Sequence, residues 1–134
     1  MASMKLRAPE VEQKYADDRR KLREKYGDDI PCAMCARPRH TILHSTETMV
    51  VTVNDYPYSI FDRRAVAKHL LLTPKRHEAS MANFTAAERR DYIDMMALYH
   101  EKGYASMTRS LIDTERSVPL HIHTHLMKYT GGII

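Results

Sequence analysis

Ser117-Val118-Pro119-Leu120-His121-Ile122-His123-Thr124-His125-Leu126-Met127 is the stretch that decides how this chain is read. Three histidines alternate there with Ile122 and Thr124, and strand side chains alternate between the two faces of a sheet. In a strand over Leu120 to Lys128 the three imidazoles share one face, while Leu120, Ile122 and Leu126 point the other way, into a core. Imidazole is a metal ligand, a nucleophile and a proton donor near neutral pH, so three aligned copies point to a metal cage or to phosphoryl chemistry. The plainer alternative is three solvent-facing histidines on an edge strand.

Working outward, Thr48-Met49-Val50-Val51-Thr52-Val53 is rich in β-branched residues and runs into Asn54-Asp55-Tyr56-Pro57, which predicts a strand ending in a turn. His69-Leu70-Leu71-Leu72-Thr73 reads as a second short strand closed by Pro74, with a hairpin or loop over Tyr58 to Lys68 between the two. Thr85-Ala86-Ala87-Glu88 has the spacing of a capping box, in which the Thr hydroxyl and the Glu carboxylate satisfy open backbone N–H groups at a helix start. Tyr92, Met95, Met96 and Tyr99 then recur at helical offsets, and Gly103 can supply a left-handed C-terminal cap. The methionines on this helix are expected to fill the core. Tyr104 to Ile112 is a further candidate strand.

The chain has 134 residues, a length suited to one domain, and 43% apolar residues, enough for a single core. A formal charge of +4 suits anionic small molecules and nucleic acid equally and does not choose between them. No stretch approaches the roughly 20 apolar residues of a membrane span, and Met1 to Arg7 lacks the apolar core of a signal peptide, so a soluble, cytoplasmic protein is expected. From Pro9 to Asp29 most residues are charged, with Val11, Tyr15, Leu22 and Tyr26 on a narrow stripe, and Gly27 to Pro31 closes the segment. It reads as a solvated helix lying on the body or on a partner, or as a partly frayed arm. Residues 1–29 are accordingly set apart as a charged helical extension, and 30–134 as the domain proper.

Cys32 and Cys35, the only two cysteines, form one C-x-x-C. That spacing serves a metal site or a redox pair more often than a disulfide framework, and the βαβ pattern of a thioredoxin-like protein does not follow it. Two reduced cysteines without metal are a second reading. A third joins Cys32, Cys35, His40 and His44 into a compact zinc knuckle for nucleic acid, with Arg37 and Arg39 nearby, although no aromatic lies between Cys32 and His44 to stack a base.

On these residues the chain resembles the histidine triad (HIT) superfamily of nucleotide hydrolases and transferases. The alternating histidines are that family's defining motif. His69-Leu70-Leu71-Leu72-Thr73-Pro74-Lys75-Arg76-His77 is similar to its H-x-L-x-x-P-K-x-H stretch, and Asn54-Asp55-Tyr56-Pro57-Tyr58 to its nucleoside-pocket turn. The resemblance covers about Ile30 to Lys128. It implies an α+β fold: an antiparallel sheet carrying the histidines, backed by the Thr85 to Gly103 helix, with the charged N-terminal helix added.

The resemblance also implies roles. His123 would be the nucleophile, forming a nucleotidyl-histidine that water or another acceptor discharges. His125 would donate hydrogen bonds to the phosphate, Ser117 would contact phosphate or leaving group, and His69 would set their geometry. Asn54 and Pro57 would receive the nucleoside, and Arg109, or Thr108, stands where many members place a phosphate-binding Asn. Zinc-containing members use the residues that correspond to Cys32, Cys35, His77 and His121, a Cys₂His₂ set suited to a closed structural site. A homodimer and a nucleotide substrate are expected, with nucleic acid as a less favoured partner. A nucleotide-binding or zinc-stabilised interaction protein that has lost turnover is the alternative from another class.

Overall fold

The computed structural model describes residues 5–35, 42–112 and 121–131. Among these residues, two α-helices and six strands follow one another as α1 (Pro9–Tyr26), β1 (Ile42–Ser45), β2 (Met49–Val53), β3 (Ile60–Phe61), β4 (Arg64–Pro74), a 3₁₀ turn (Met81–Asn83), α2 (Ala86–Glu101), β5 (Ala105–Met107) and β6 (Thr124–Tyr129). The strands form one antiparallel sheet in the order β1-β2-β4-β6-β5, with β3 hairpinned onto the start of β4. The fold is the expected α+β arrangement.

Alternation along each strand sorts the side chains into two layers. Met49 and Val51 of β2, Leu70 and Leu72 of β4, and Leu126 of β6 meet Phe84 and the α2 residues Met95 and Tyr99 in the core, where Ile122 joins them. Thr52, Leu71 and His125 are cross-strand partners and stand in a row on the opposite face. The methionines of α2 pack the core as their spacing predicts.

Helix α2 is closed at both ends by its own sequence. The Thr85 hydroxyl accepts from Glu88 N–H at 3.1 Å, and the Glu88 carboxylate accepts from Thr85 N–H at 2.8 Å. Gly103 adopts φ +92°, and the N–H groups of Gly103 and Tyr104 return to the carbonyls of His100 and Tyr99, so the last turn ends in a Schellman cap. Glu88 also receives Arg76, whose Nε and Nη2 reach its two carboxylate oxygens at 3.2 and 3.0 Å. That fork ties the exit of β4 to the start of α2, and it employs a residue of the Pro74-Lys75-Arg76-His77 segment for structure rather than chemistry.

Three expectations change in extent. The strand expected at His69 to Thr73 extends over the eleven residues Arg64–Pro74, because Asp62 and Arg63 (φ +52° and +55°) form a two-residue turn that folds β3 back onto its first residues. The strand proposed for Tyr104 to Ile112 is limited to Ala105–Met107, where β6 supplies a partner. The histidine strand begins only at Thr124, since Ile122 N–H donates 2.7 Å to Glu78 O and His121 Nε2 lies 2.9 Å from Pro74 O, bonds to the segment leaving β4 instead of to a neighbouring strand. Leu120 lies outside the described residues. Replacing Thr85→Ala removes half of the capping box and should lower unfolding stability by about 1 kcal/mol, measured by denaturant titration.

Candidate functional site

His69, His123 and His125 gather on the sheet face away from α2, each 5% exposed or less. β4 delivers His69, and β6 with the residue just before it delivers the other two. The Tyr58 N–H donates 2.9 Å to His69 Nδ1. A backbone amide can only donate, so His69 carries its proton on Nε2, which lies 2.8 Å from His125 Nδ1. His125 must accept there, and its own proton resides on Nε2. His123 Nδ1 lies 3.1 Å from the His121 carbonyl, which can only accept, so Nδ1 holds the proton and the lone pair of His123 is on Nε2. Three imidazoles thus have their tautomers set by two backbone groups.

The electrostatics agree with neutral rings. Burial, then the charges of Arg7 and His123, pushes His69 down to about 3. Burial, then His69, His123, Arg109 and Arg7, pushes His125 down to about 2. Asn54 holds the neighbouring turn: its Oδ1 accepts from Tyr56 N–H at 2.9 Å, and its Nδ2 lies 3.3 to 3.4 Å from the ring nitrogens of His69. Arg109 reaches the cluster through Tyr58, donating 3.2 Å to its hydroxyl, whereas Thr108 turns to Thr124 Oγ1 at 2.7 Å. Pro57 is exposed beside this turn, and Ser117 lies outside the described residues.

Tyr58, the last residue of the Asn54 to Tyr58 stretch, belongs to the site, and so does Arg7, which no local pattern marks. The buried Tyr58 ring stacks on His125 with centroids 5.4 Å apart and lies 4.5 Å from His69. Only the tertiary fold brings Arg7 there, from the arm before α1. Helix α1 itself lies on the Asn54 to Tyr58 turn: Tyr15 meets Tyr56 edge to face, and the Tyr56 hydroxyl donates 2.8 Å to Asp18. Burial and that carboxylate push Tyr56 up to about 12.

A second cluster adjoins the first. Cys35 Sγ lies 3.2 Å from His77 Nδ1 and 3.4 Å from His121 Nδ1, Cys32 Sγ is 3.6 Å from His121 Nδ1, and all four ligand atoms fall within 4.8 Å of one another. Ligands of a tetrahedral zinc ion stand roughly 3.4–3.8 Å apart given the usual bond lengths, so the set is compatible with a metal site. The His121 Nε2–H is given to Pro74 O, which leaves the Nδ1 lone pair turned to the thiols, the orientation a ligand needs. The alternative knuckle finds no such grouping: His44 lies on β1, outside this cluster, and His40 is not among the described residues.

The neutral His69–His125 pair has a consequence for pH. Unfolded, each imidazole takes up a proton near its ordinary 6.5, whereas in the folded chain it does so only near 3 or 2. Protonation therefore favours the unfolded chain: stability is complete above about pH 6.5 and falls as the pH drops, by up to about 1.4 kcal/mol per pH unit for each ring. The thermal midpoint should be lower at about pH 5 than at about pH 7.5, with a shallower dependence in a His69→Gln, His125→Gln variant.

No family model matches the sequence, and no curated protein matches it. Solved structures do. An HIT family hydrolase from Clostridium thermocellum shares 24% identity over 77% of this chain and 93% of its own, with a TM-score of 0.53. An HIT family hydrolase from Legionella pneumophila Philadelphia 1 shares 19% over 78% and 95%, with a TM-score of 0.51. A histidine triad nucleotide-binding protein from Candida albicans shares 18% over 76% and 81%, with a TM-score of 0.52. Among the described residues, no helix is long and apolar enough to cross a membrane. The antiparallel sheet with its packed helix is the fold of the histidine triad proteins.

Proposed function

We propose that this chain is a nucleotidyl hydrolase or transferase that acts on nucleoside 5′-phosphate derivatives through a covalent intermediate on His123. The observation that carries this reading is the tautomer of His123: its Nδ1 proton is held by the His121 carbonyl at 3.1 Å, which places the lone pair on Nε2. A nucleotide also agrees with the Candida albicans protein of the same fold, a histidine triad nucleotide-binding protein.

Attack by His123 Nε2 on the α-phosphorus forms an N–P bond and breaks the bond to the leaving group, which departs with the electron pair. Water or another acceptor then forms a P–O bond, the N–P bond returns its electrons to His123, and the acceptor's proton passes to solvent. One hard displacement becomes two easier ones. His125, with its proton on Nε2, is a donor for the phosphate oxygens as charge grows on them. His69 acts one step back, by holding His125 in that tautomer. Ser117 is assigned to the phosphate or leaving group, Arg109 to phosphate, and Asn54 and Pro57 to the nucleoside turn.

Cys32, Cys35, His77 and His121 fit a structural Zn²⁺, which would pin the N-terminal loop beside His123 without using the nucleophile. A cytoplasmic homodimer completes the reading, with residues 1–29 as a helical extension of the 30–134 domain.

His123→Ala should reduce release of nucleoside monophosphate by about three orders of magnitude or more, with folding and nucleotide affinity kept. Turnover can be followed on adenosine and guanosine phosphoramidates, dinucleoside polyphosphates and a nucleotide sugar. Unchanged turnover rejects the mechanism, and binding without turnover in the wild type leaves a nucleotide-binding protein. For the metal, elemental analysis of protein purified without a metal-affinity tag should find about one zinc per chain, lost in Cys35→Ser. Folded, metal-free wild type would reject the zinc assignment.

A further inference from the structure

Tyr58 is held from both sides by two consecutive residues of the arm that precedes α1. Arg7 Nε donates 2.7 Å to the Tyr56 carbonyl. One residue earlier, the Leu6 carbonyl accepts from the N–H groups of Ser59 at 2.7 Å and Ile60 at 3.2 Å, and from the Ser59 hydroxyl at 3.2 Å. The arm therefore brackets residues 56–60, with the Tyr58 amide in the middle. Side chains add to the bracket: Arg7 Cζ lies 4.8 Å from the Tyr15 ring centre and 5.2 Å from that of Tyr58, in contact with a ring of α1 and a ring of the site. Glu12 of α1 faces the same guanidinium at 3.5 Å.

What the bracket holds is a proton position. With the Tyr58 N–H on His69 Nδ1, His69 donates from Nε2 to His125 Nδ1, and His125 keeps its own proton on Nε2. When the amide withdraws, the 2.8 Å bond between the rings can run in the opposite sense. His69 then carries its proton on Nδ1, and His125 donates from Nδ1 and is left with a lone pair on Nε2. Each neutral ring keeps one proton in either arrangement, exchanged through solvent, so the choice falls to whatever faces His69 Nδ1. Asn54 Nδ2, at 3.4 Å from Nδ1 and 3.3 Å from Nε2, favours neither nitrogen. The tautomer of His123 is independent of this segment, because the His121 carbonyl sets it.

We propose that Arg7 is a positioning residue, and that the arm to which it belongs fixes which nitrogen of His125 bears the proton. The segment before the domain proper is then a working part of the site rather than an appendage to it. For its effect on rate, the inference rests on the nucleotidyl-transfer reading above: His125 serves the phosphate oxygens only in its Nε2–H form. A molecule with the other tautomer turns a lone pair toward growing negative charge and does not react, so kcat follows the fraction of molecules in the Nε2–H form. KM changes little, because that donor is needed most in the transition state.

The test reads the tautomers directly, from long-range ¹H–¹⁵N NMR correlations of the full chain carrying ¹⁵N-labelled histidine at about pH 7.5. In wild type, Nδ1 of His69 and of His125 should resonate as lone-pair nitrogens and Nε2 as N–H nitrogens. Arg7→Met keeps the aliphatic stem but removes donor and charge. It should draw the two nitrogen shifts of each of these rings together, as both tautomers become populated, and leave His123 unchanged. Arg7→Lys, a charged donor of similar length, should restore part of the separation. Thr85→Ala, which weakens α2 on the other face of the sheet, should move none of the three rings. Mixed tautomers in wild type, wild-type tautomers in Arg7→Met, or a shift shared by His123 or reproduced by Thr85→Ala overturns the proposal. If Arg7→Met does not fold, Tyr15→Leu, which removes the α1 ring in contact with Arg7, carries the same test. With an adenosine phosphoramidate as substrate, kcat of Arg7→Met should fall about threefold or more, in step with the lost Nε2–H fraction of His125, while KM changes by less than about twofold. A loss of kcat without the tautomer shift also overturns the proposal. The tautomer shift in a chain whose wild type turns over nothing supports the bracket and rejects the reading beneath it.

Discussion

The Tyr58 amide gives its hydrogen bond to His69 Nδ1 at 2.9 Å, and the proton positions of the His69–His125 pair follow from that one contact. Because the amide has no acceptor to offer, His69 must donate from Nε2, and His125 must receive at Nδ1, 2.8 Å away. Were the Tyr58 backbone displaced, either ring could reverse, and His125 would lose the outward donor that the proposed chemistry requires. Much of the N-terminal structure serves to hold that amide. Asn54 Oδ1 caps the turn, Arg7 fastens the Tyr56 carbonyl, and Leu6 accepts from the two residues that follow Tyr58. Burial then keeps both imidazoles neutral, so that the pair stays a chain of directed donors.

His121 connects the two clusters through different atoms. Its side chain faces Cys32 and Cys35, its Nε2–H is given to Pro74, and its carbonyl receives the Nδ1 proton of His123. Whatever steadies the ring of His121 also steadies the carbonyl that sets the tautomer of His123. The segment leaving β4 contributes as well, since Pro74 and Glu78 hold residues 121 and 122, while Arg76 anchors the same segment to Glu88 of α2. A motif that reads as a string of functional residues is thus divided between a prospective metal ligand, His77, and a structural fork, Arg76.

The extension over residues 5–26 has few apolar side chains and buries none of those in α1, which is why its sequence left a docked helix and a frayed arm both open. What docks it is polar and aromatic: Tyr15 on Tyr56, Asp18 on the Tyr56 hydroxyl, and backbone bonds through Leu6. Hydrophobic periodicity detects burial of apolar faces and is blind to such contacts. Arg7 escaped a reading of the sequence for the same reason, and Tyr58 was legible there only as the end of the Asn54 to Tyr58 turn.

Local chemistry determined a good deal by itself. The alternating histidines, the β-branched run before Asn54 and the capping box at Thr85 are short-range patterns, and they indicated strands, a helix and the face on which His123 and His125 lie, while the α+β arrangement as a whole was legible by resemblance. The C-x-x-C and the histidines at 77 and 121 were legible as one set only by resemblance, and folding brings their ligand atoms within 4.8 Å. Where β6 begins, how far β4 extends and which ring nitrogen bears each proton were decided by tertiary contacts, because a hydrogen bond between residues dozens of positions apart leaves no trace in the composition around either of them.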